Sequence, residues 1–188
     1  AYEHRIKDTV RNSSISYEQF YNTMLGLARQ GLNGYNEAVN YFGLRQAPWH
    51  SEDECLYPEV VSTLNTLSER YKIGIIANQL PGMQERLNKM GIAKFVSQTI
   101  SSAEEGIFKP NPSIFRLALQ RAGCTAENSV MIGDRLDNDI IPAKAVGMRT
   151  VWVKQGLGGL AVPKNQSETP DITVSNVAEI CQELEHIF

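Results

Sequence analysis

VMIGDRLDND, residues 130–139, runs three apolar residues and a glycine straight into three carboxylates, Asp134, Asp137 and Asp139. A short apolar run closed by glycine reads as a buried strand reaching its end. Helix capping explains part of the charge, because an acid in a first helical turn is favoured by about 0.3–1 kcal/mol. Asp137 or Asn138 fits that role as an N-cap. Asp134 does not, since it follows the strand directly and neighbouring acids would raise its pKa unless a cation were present. Oxygen donors without a soft ligand suit Mg²⁺, which prefers carboxylates and keeps several waters. Asp134 and Asp139 are therefore the candidate metal ligands, and Asp137 is read as a simple cap.

Upstream and downstream of this stretch, strands alternate with helices. KIGIIA (72–77) is a continuous apolar run, preceded by a helix that Pro58 opens and whose Val60, Val61, Leu64 and Leu67 form one stripe. Helices are expected over 81–90, 112–122 and 139–146, with strands near 95–100, 129–132 and 150–153. DITV (171–174) then leads into a terminal helix capped by Asn176 and Glu179. Such alternation predicts an α/β fold, a Rossmann-like parallel sheet with helices on both faces. Before residue 53 the texture is purely helical: SYEQ (16–19) is a capping box opening a helix to about Gln30, and 36–42 forms another. The expected division is a small helical unit over 1–52 and an α/β core over 53–188.

In parallel sheets ligands bind beyond the carboxyl ends of the strands. Three ends stand out: IGIIA runs into Asn78 and Gln79, the strand near Ile100 leads to Lys109, and VMIG ends in Asp134. Lys109 precedes Asn111 and Pro112, a good N-cap and first helical residue, so its ammonium lies near a helix's positive pole. A cation there is poorly placed unless an anion shares the site, and helix N-termini accept phosphate readily.

The totals exclude several classes. With 188 residues, 42% hydrophobic, 21% charged and a net charge of −3, the chain is an ordinary globular protein with no basic patch for nucleic acid. No stretch approaches the roughly 18 apolar residues of a membrane span. Cys55, Cys124 and Cys181 are too far apart for a disulfide framework or zinc site and fit a reducing cytoplasm. His4, His50 and His186 are equally dispersed and read as surface histidines. GLGGL (156–160) lacks dinucleotide-binding spacing and reads as a flexible loop.

Asn78 after an apolar strand, Lys109 in KPNPSIF, and GDxxxxD at 133–139 followed by AKAVGMRTVWV together resemble the haloacid dehalogenase superfamily of hydrolases. The resemblance spans about residues 55–188 and makes the preceding helices similar to that family's helical cap. It implies a Mg²⁺-dependent phosphatase for a small phosphorylated metabolite, acting through an aspartyl-phosphate. Asp134 would ligand the metal and Asp139 support it directly or through water. Lys109 would bridge nucleophile and phosphate, and Asn78 would hydrogen-bond the phosphate.

Two features depart from the family pattern. The DxDGT motif that carries the nucleophile is absent, and the chain opens AYEHRIKDTV, already helix-like and without an initiator methionine. The expectation is an upstream strand and loop of about a dozen residues, seated mid-sheet between KIGIIA and VMIG. Ala77 stands where the family usually carries a hydroxyl, whose hydrogen bond to a charged group is worth about 1.5–3 kcal/mol; Gln79 is the candidate substitute. The alternative reading is a degenerate member that binds a metal or phosphorylated ligand without efficient turnover. Metal-free dehalogenation is disfavoured by the three acids, and phosphonate hydrolysis by the single lysine, Lys7, before residue 50.

Overall fold

In a computed structural model, which describes residues 2–185 and Ile187, the chain forms two compact units. The sequence reading of His186 lies outside the described residues. One unit comprises the residues up to Cys55 together with Gln155–Val162; the other comprises Leu56–Lys154 and the chain from Pro163 onward.

The first unit is built on α1 (Tyr2–Val10), α2 (Tyr17–Arg29) and α3 (Gly34–Tyr41). The capping box forms as the sequence predicts: Ser16 Oγ accepts from the Gln19 amide at 3.1 Å, and the Gln19 side chain accepts from the Ser16 amide at 2.8 Å. The three helices bury Ile6, Phe20, Met24, Tyr35, Ala38 and Val39. Gly34 permits their close approach, since a Cβ there would lie 2.4 Å from the Met24 carbonyl oxygen. The Tyr35 hydroxyl stays satisfied in this core, 2.7 Å from Thr9 Oγ1 and accepting from the Ala47 amide at 3.2 Å. GLGGL is not a free loop. Gly158–Leu160 forms a 3₁₀ turn and Leu157 packs against the same core, which gives the glycine-rich segment an anchor that composition alone does not reveal.

The second unit carries α4 (Val60–Ser68), β1 (Gly74–Ala77), α5 (Met83–Lys89), β2 (Gln98–Ser101), α6 (Ser102–Glu105), α7 (Pro112–Ala122), β3 (Val130–Gly133), α8 (Ile141–Ala145), β4 (Arg149–Val153), β5 (Ile172–Val174) and α9 (Ile180–Leu184). All pairings are parallel, as expected for an α/β fold. Two details of α4 differ from the sequence reading. Glu59, at φ 67°, turns the chain after Pro58, so the helix starts at Val60. Thr63 and Leu67 face the core, while Val61 is exposed. Thr63 is tolerated inside because its hydroxyl donates to the Val177 carbonyl at 3.3 Å.

The single sheet expected from the alternation is in two pieces, β1–β2 and β3–β4–β5. Among the described residues β1 pairs only with β2, and β3 only with β4. A cavity of about 570 Å³ lies between their free edges, lined by Gly74, Ile75 and Ile76 on one side and Val130, Met131 and Ile132 on the other. The sheet divides because no segment among the described residues occupies that slot.

Candidate active site

The site is assembled at the carboxyl ends of β1 and β3 in the second unit. Immediately after β1, Asn78 clamps the backbone of Lys109 at two points. Its Oδ1 accepts from the Lys109 amide at 2.7 Å and its Nδ2 donates to the Lys109 carbonyl at 2.9 Å. Downstream of the lysine, Asn111 Oδ1 accepts from the Ser113 amide at 2.9 Å, and Pro112 is the first residue of α7. Lys109 is thus fixed at its backbone from both directions.

The Lys109 ammonium reaches Asp139, with Nζ 2.6 Å from Oδ1 and the two side chains only 12% and 5% exposed. The anion that shares the lysine's site is therefore this carboxylate. Its second oxygen, Oδ2, accepts from the Arg135 amide at 3.1 Å. Gly133 makes the arrangement possible: a Cβ there would sit 2.5 Å from the Asp139 Cβ, so any larger residue would displace the carboxylate. The glycine of GDxxxxD is a spacing device as well as a strand end.

Asp134 leaves β3 with its backbone held by Trp152, whose Nε1 donates to the Asp134 carbonyl at 2.7 Å. Crowding that strips water from its carboxyl, followed by the charge of Asp139, pushes Asp134 up to about 6 against the opposing pull of Lys109 and Arg135. The residue as a whole is nonetheless exposed at the rim, so the loss of hydration at its carboxyl is partial. Asp137 is not the expected cap. Its carboxylate pairs with the Arg135 guanidinium, including Nε to Oδ1 at 3.0 Å, and the turn it occupies has no side-chain cap. That turn, Leu136–Ile140, is a π-helix running into α8, a form enriched at functional sites, where a regular helix from 139 is expected.

Asn78, Lys109, Asp134 and Asp139 thus share one rim, and Gln79 follows on the same loop. The Gln79 amide donates to Ser102 Oγ at 3.0 Å. Sequence reasoning missed Ser102, Trp152 and Arg135 as supports. Arg135, inside VMIGDRLDND, and Trp152, in the AKAVGMRTVWV stretch, both lay within segments already singled out, but nothing local marked either side chain as a support. Ser101 Oγ, at the end of β2, is buried with no hydrogen-bond partner among the described residues. The donors near Asp134 and Asp139 are hard oxygens, as a Mg²⁺ site requires.

A family model described as haloacid dehalogenase-like hydrolase matches residues 10–147. A glyceraldehyde 3-phosphate phosphatase from Methanopyrus kandleri is 38% identical over 126 residues, 66% of this chain and 54% of that protein. A phosphoserine phosphatase from Thermus thermophilus is 35% identical over 127 residues, 66% of this chain and 49% of the relative. The chain thus spans about half the length of the curated relatives it matches. The fold is shared with a crystal structure of a HAD phosphatase from Thermococcus onnurineus, at TM-score 0.64, 24% identity, and coverage of 97% of this chain and 87% of the other.

Proposed function

The chain belongs to the haloacid dehalogenase-like hydrolase family, and from that premise we propose that it forms the lysine and metal-binding part of a Mg²⁺-dependent phosphatase acting on small phosphorylated metabolites. The observation that carries the reading is the buried Lys109–Asp139 pair beside an Asp134 whose pKa is raised to about 6. A carboxyl that resists ionisation at a strand end is ready for a cation. Relatives named as phosphatases for two different phosphorylated metabolites support the substrate class.

In this reading Asp134 ligands the metal directly. Asp139 supports it directly or through water, since each of its engaged oxygens keeps a further lone pair. When bound, Mg²⁺ supplies fixed positive charge that keeps carboxylates ionised and offsets charge on the transferring phosphoryl oxygens. Lys109 offers its ammonium to the same oxygens. Asn78 positions the lysine through its backbone, and the second N–H of its Nδ2 is left to donate to the phosphate. Gln79 takes the donor role beside Ala77. The slot between β1 and β3 receives an apolar strand from outside these 188 residues, ending in the aspartate that attacks phosphorus. The helical unit is the cap that screens substrates, and its surface offers the stacked pair Tyr17–Tyr21, with ring centroids 5.7 Å apart. Among the described residues no helix is long and apolar enough to cross a membrane, in keeping with metabolites in solution as substrates.

Ala77 favours a second reading, a binder of metal or phosphorylated ligand with little turnover. The test is phosphate release from a metabolite panel, with and without Mg²⁺, for this chain alone and for the chain fused to an apolar strand ending in Asp-x-Asp-Gly-Thr. Release is expected only with both the fusion and Mg²⁺, and Asp134→Asn should abolish it. Ligand binding without release would favour the binder. Full activity of the Asp134→Asn fusion would remove the assigned metal site.

A further inference from the structure

His4 and His50 lie 46 positions apart in sequence, yet their rings stack with centroids 3.6 Å apart and planes 12° from parallel. His4 stands on α1, and His50 immediately precedes the 3₁₀ turn Ser51–Asp53. Three carboxylates surround the two rings. Asp53 Oδ2 is 3.0 Å from His4 Nδ1; Glu52 Oε1 and Asp8 Oδ2 are each 2.9 Å from His50, at Nδ1 and Nε2 respectively. Asp8 Oδ2 also lies 3.9 Å from His4 Nε2, and Arg11 pairs with the other oxygen of Asp8. His4, His50 and Glu52 each present a ligand atom within 4.8 Å of the other two, the sole such grouping of histidine, cysteine and acidic residues among the described residues. His4 and His50, dispersed in the sequence, are thus brought together by the fold, with His4 still at the surface.

We propose that His4, His50 and Glu52 form a binding site for a divalent transition-metal ion of the zinc class, separate from the residues assigned to catalysis. Two imidazoles and one carboxylate are a borderline donor set that suits Zn²⁺, Co²⁺ or Ni²⁺ and not Mg²⁺. The remaining ring nitrogens already have outer partners. Asp53 holds His4 Nδ1, which leaves Nε2 for the metal, and Asp8 holds His50 Nε2, which leaves Nδ1 beside Glu52. Carboxylates on the far nitrogen are what orient metal-bound histidines and raise their basicity. Ligand atoms about 2.1 Å from a tetrahedral ion stand about 3.4 Å apart, against the 4.8 Å within which they lie here, so the side chains must move to close on the ion. The stack must open during that movement, because in-plane lone pairs of parallel rings do not converge. His4, with its side chain 48% exposed, has room to turn. Without metal, His50 can donate to both Glu52 and Asp8 only as the imidazolium. The ion takes the place of the Nδ1 proton, which is released to solvent. A bound ion would tie the start of α1 to the turn that ends the helical segment, fixing the first unit at its chain ends.

The test is titration of the full chain with Zn²⁺ by calorimetry, and with Co²⁺ by visible absorption, in buffer containing excess Mg²⁺. One ion per chain with micromolar affinity is expected. His4→Ala and His50→Ala should each weaken binding at least 100-fold, and Asp53→Asn about tenfold. Asp134→Asn and Cys55→Ser should leave it unchanged, which separates this site from the catalytic proposal and from a thiol. His4 is exposed, so its variant reports even if His50→Ala is poorly folded. No binding below millimolar Zn²⁺, or binding unaffected by His4→Ala, would overturn the assignment.

Discussion

The two pieces of the sheet meet solvent and core very differently. β4 has partners on both sides, and Thr150, Val151, Trp152 and Val153 are all buried, whereas β1 has a partner only on β2 and none of its residues is fully buried. A strand paired on both edges is held by its own ladder and packing, while a strand facing a cavity depends on whatever bridges the gap. Here the bridge is a side chain. Lys109 is gripped by Asn78 at the end of β1 and reaches Asp139 beyond β3. Removing it tests that dependence most severely. Lys109→Met leaves Asp139 buried without its counter-charge, and loss of one partner of such a pair costs about 3–5 kcal/mol. Urea unfolding should register that loss, and the double variant Lys109→Met/Asp139→Leu should recover most of it. A full loss in the double variant as well would mean that the cost is the lost bridge between the two pieces and not the unpaired buried charge.

Amide exchange sharpens the same contrast with a smaller effect. Local opening free energies run from near zero to the global value, and the best-packed strands set the upper limit. Amides of Val151 and Val153 should exchange only on global unfolding. Those of β1 that face the slot should exchange faster by at least tenfold. Filling the slot with an apolar strand fused to the chain should slow exchange in β1 and β3 and leave β4 unchanged. Equal protection of β1 and β4 in the unfused chain would mean that the free edge is not open to water.

Much of this was legible in the sequence, and the parts that were not share a cause. Local signals carried well: the capping box at Ser16, Asn111-Pro112 opening α7, and the apolar runs of β1, β3 and β4 each depend on neighbours within a few residues. The rim residues Asn78, Lys109 and Asp134 were found because the carboxyl end of a parallel strand is defined once the strand is. What stayed hidden depends on distant partners. Nothing around Asn78 shows that its amide serves the Lys109 backbone, nothing near Asp137 outweighs a cap until Arg135 turns toward it, and no spacing rule joins His4 to His50. The split of the sheet was hidden for a related reason, because apolar patterning marks a strand as buried without saying what buries each edge.

The gentlest probe of the comparison is pH, acting on Asp134 at the end of β3. Its carboxyl is pushed up to about 6 in the folded chain from an ordinary 3.8, so the folded state holds this proton more tightly than the unfolded state does. The resulting stabilisation is complete below pH 3.8 and is lost as pH rises through 6, after which it stays absent. Groups such as Asp8, lowered against the effect of burial chiefly by its hydrogen bond to His50, and Glu52, lowered by a backbone hydrogen bond and then by His50, contribute in the opposite sense. The difference between the parent chain and Asp134→Asn isolates the aspartate. Relative to that variant, the parent melting temperature should fall between pH 4 and pH 7, and saturating Mg²⁺ at pH 7 should restore part of the loss. An identical pH profile for the two proteins would show that Asp134 is as well hydrated in the folded chain as in the unfolded one, and its carboxyl would then have no need of a cation.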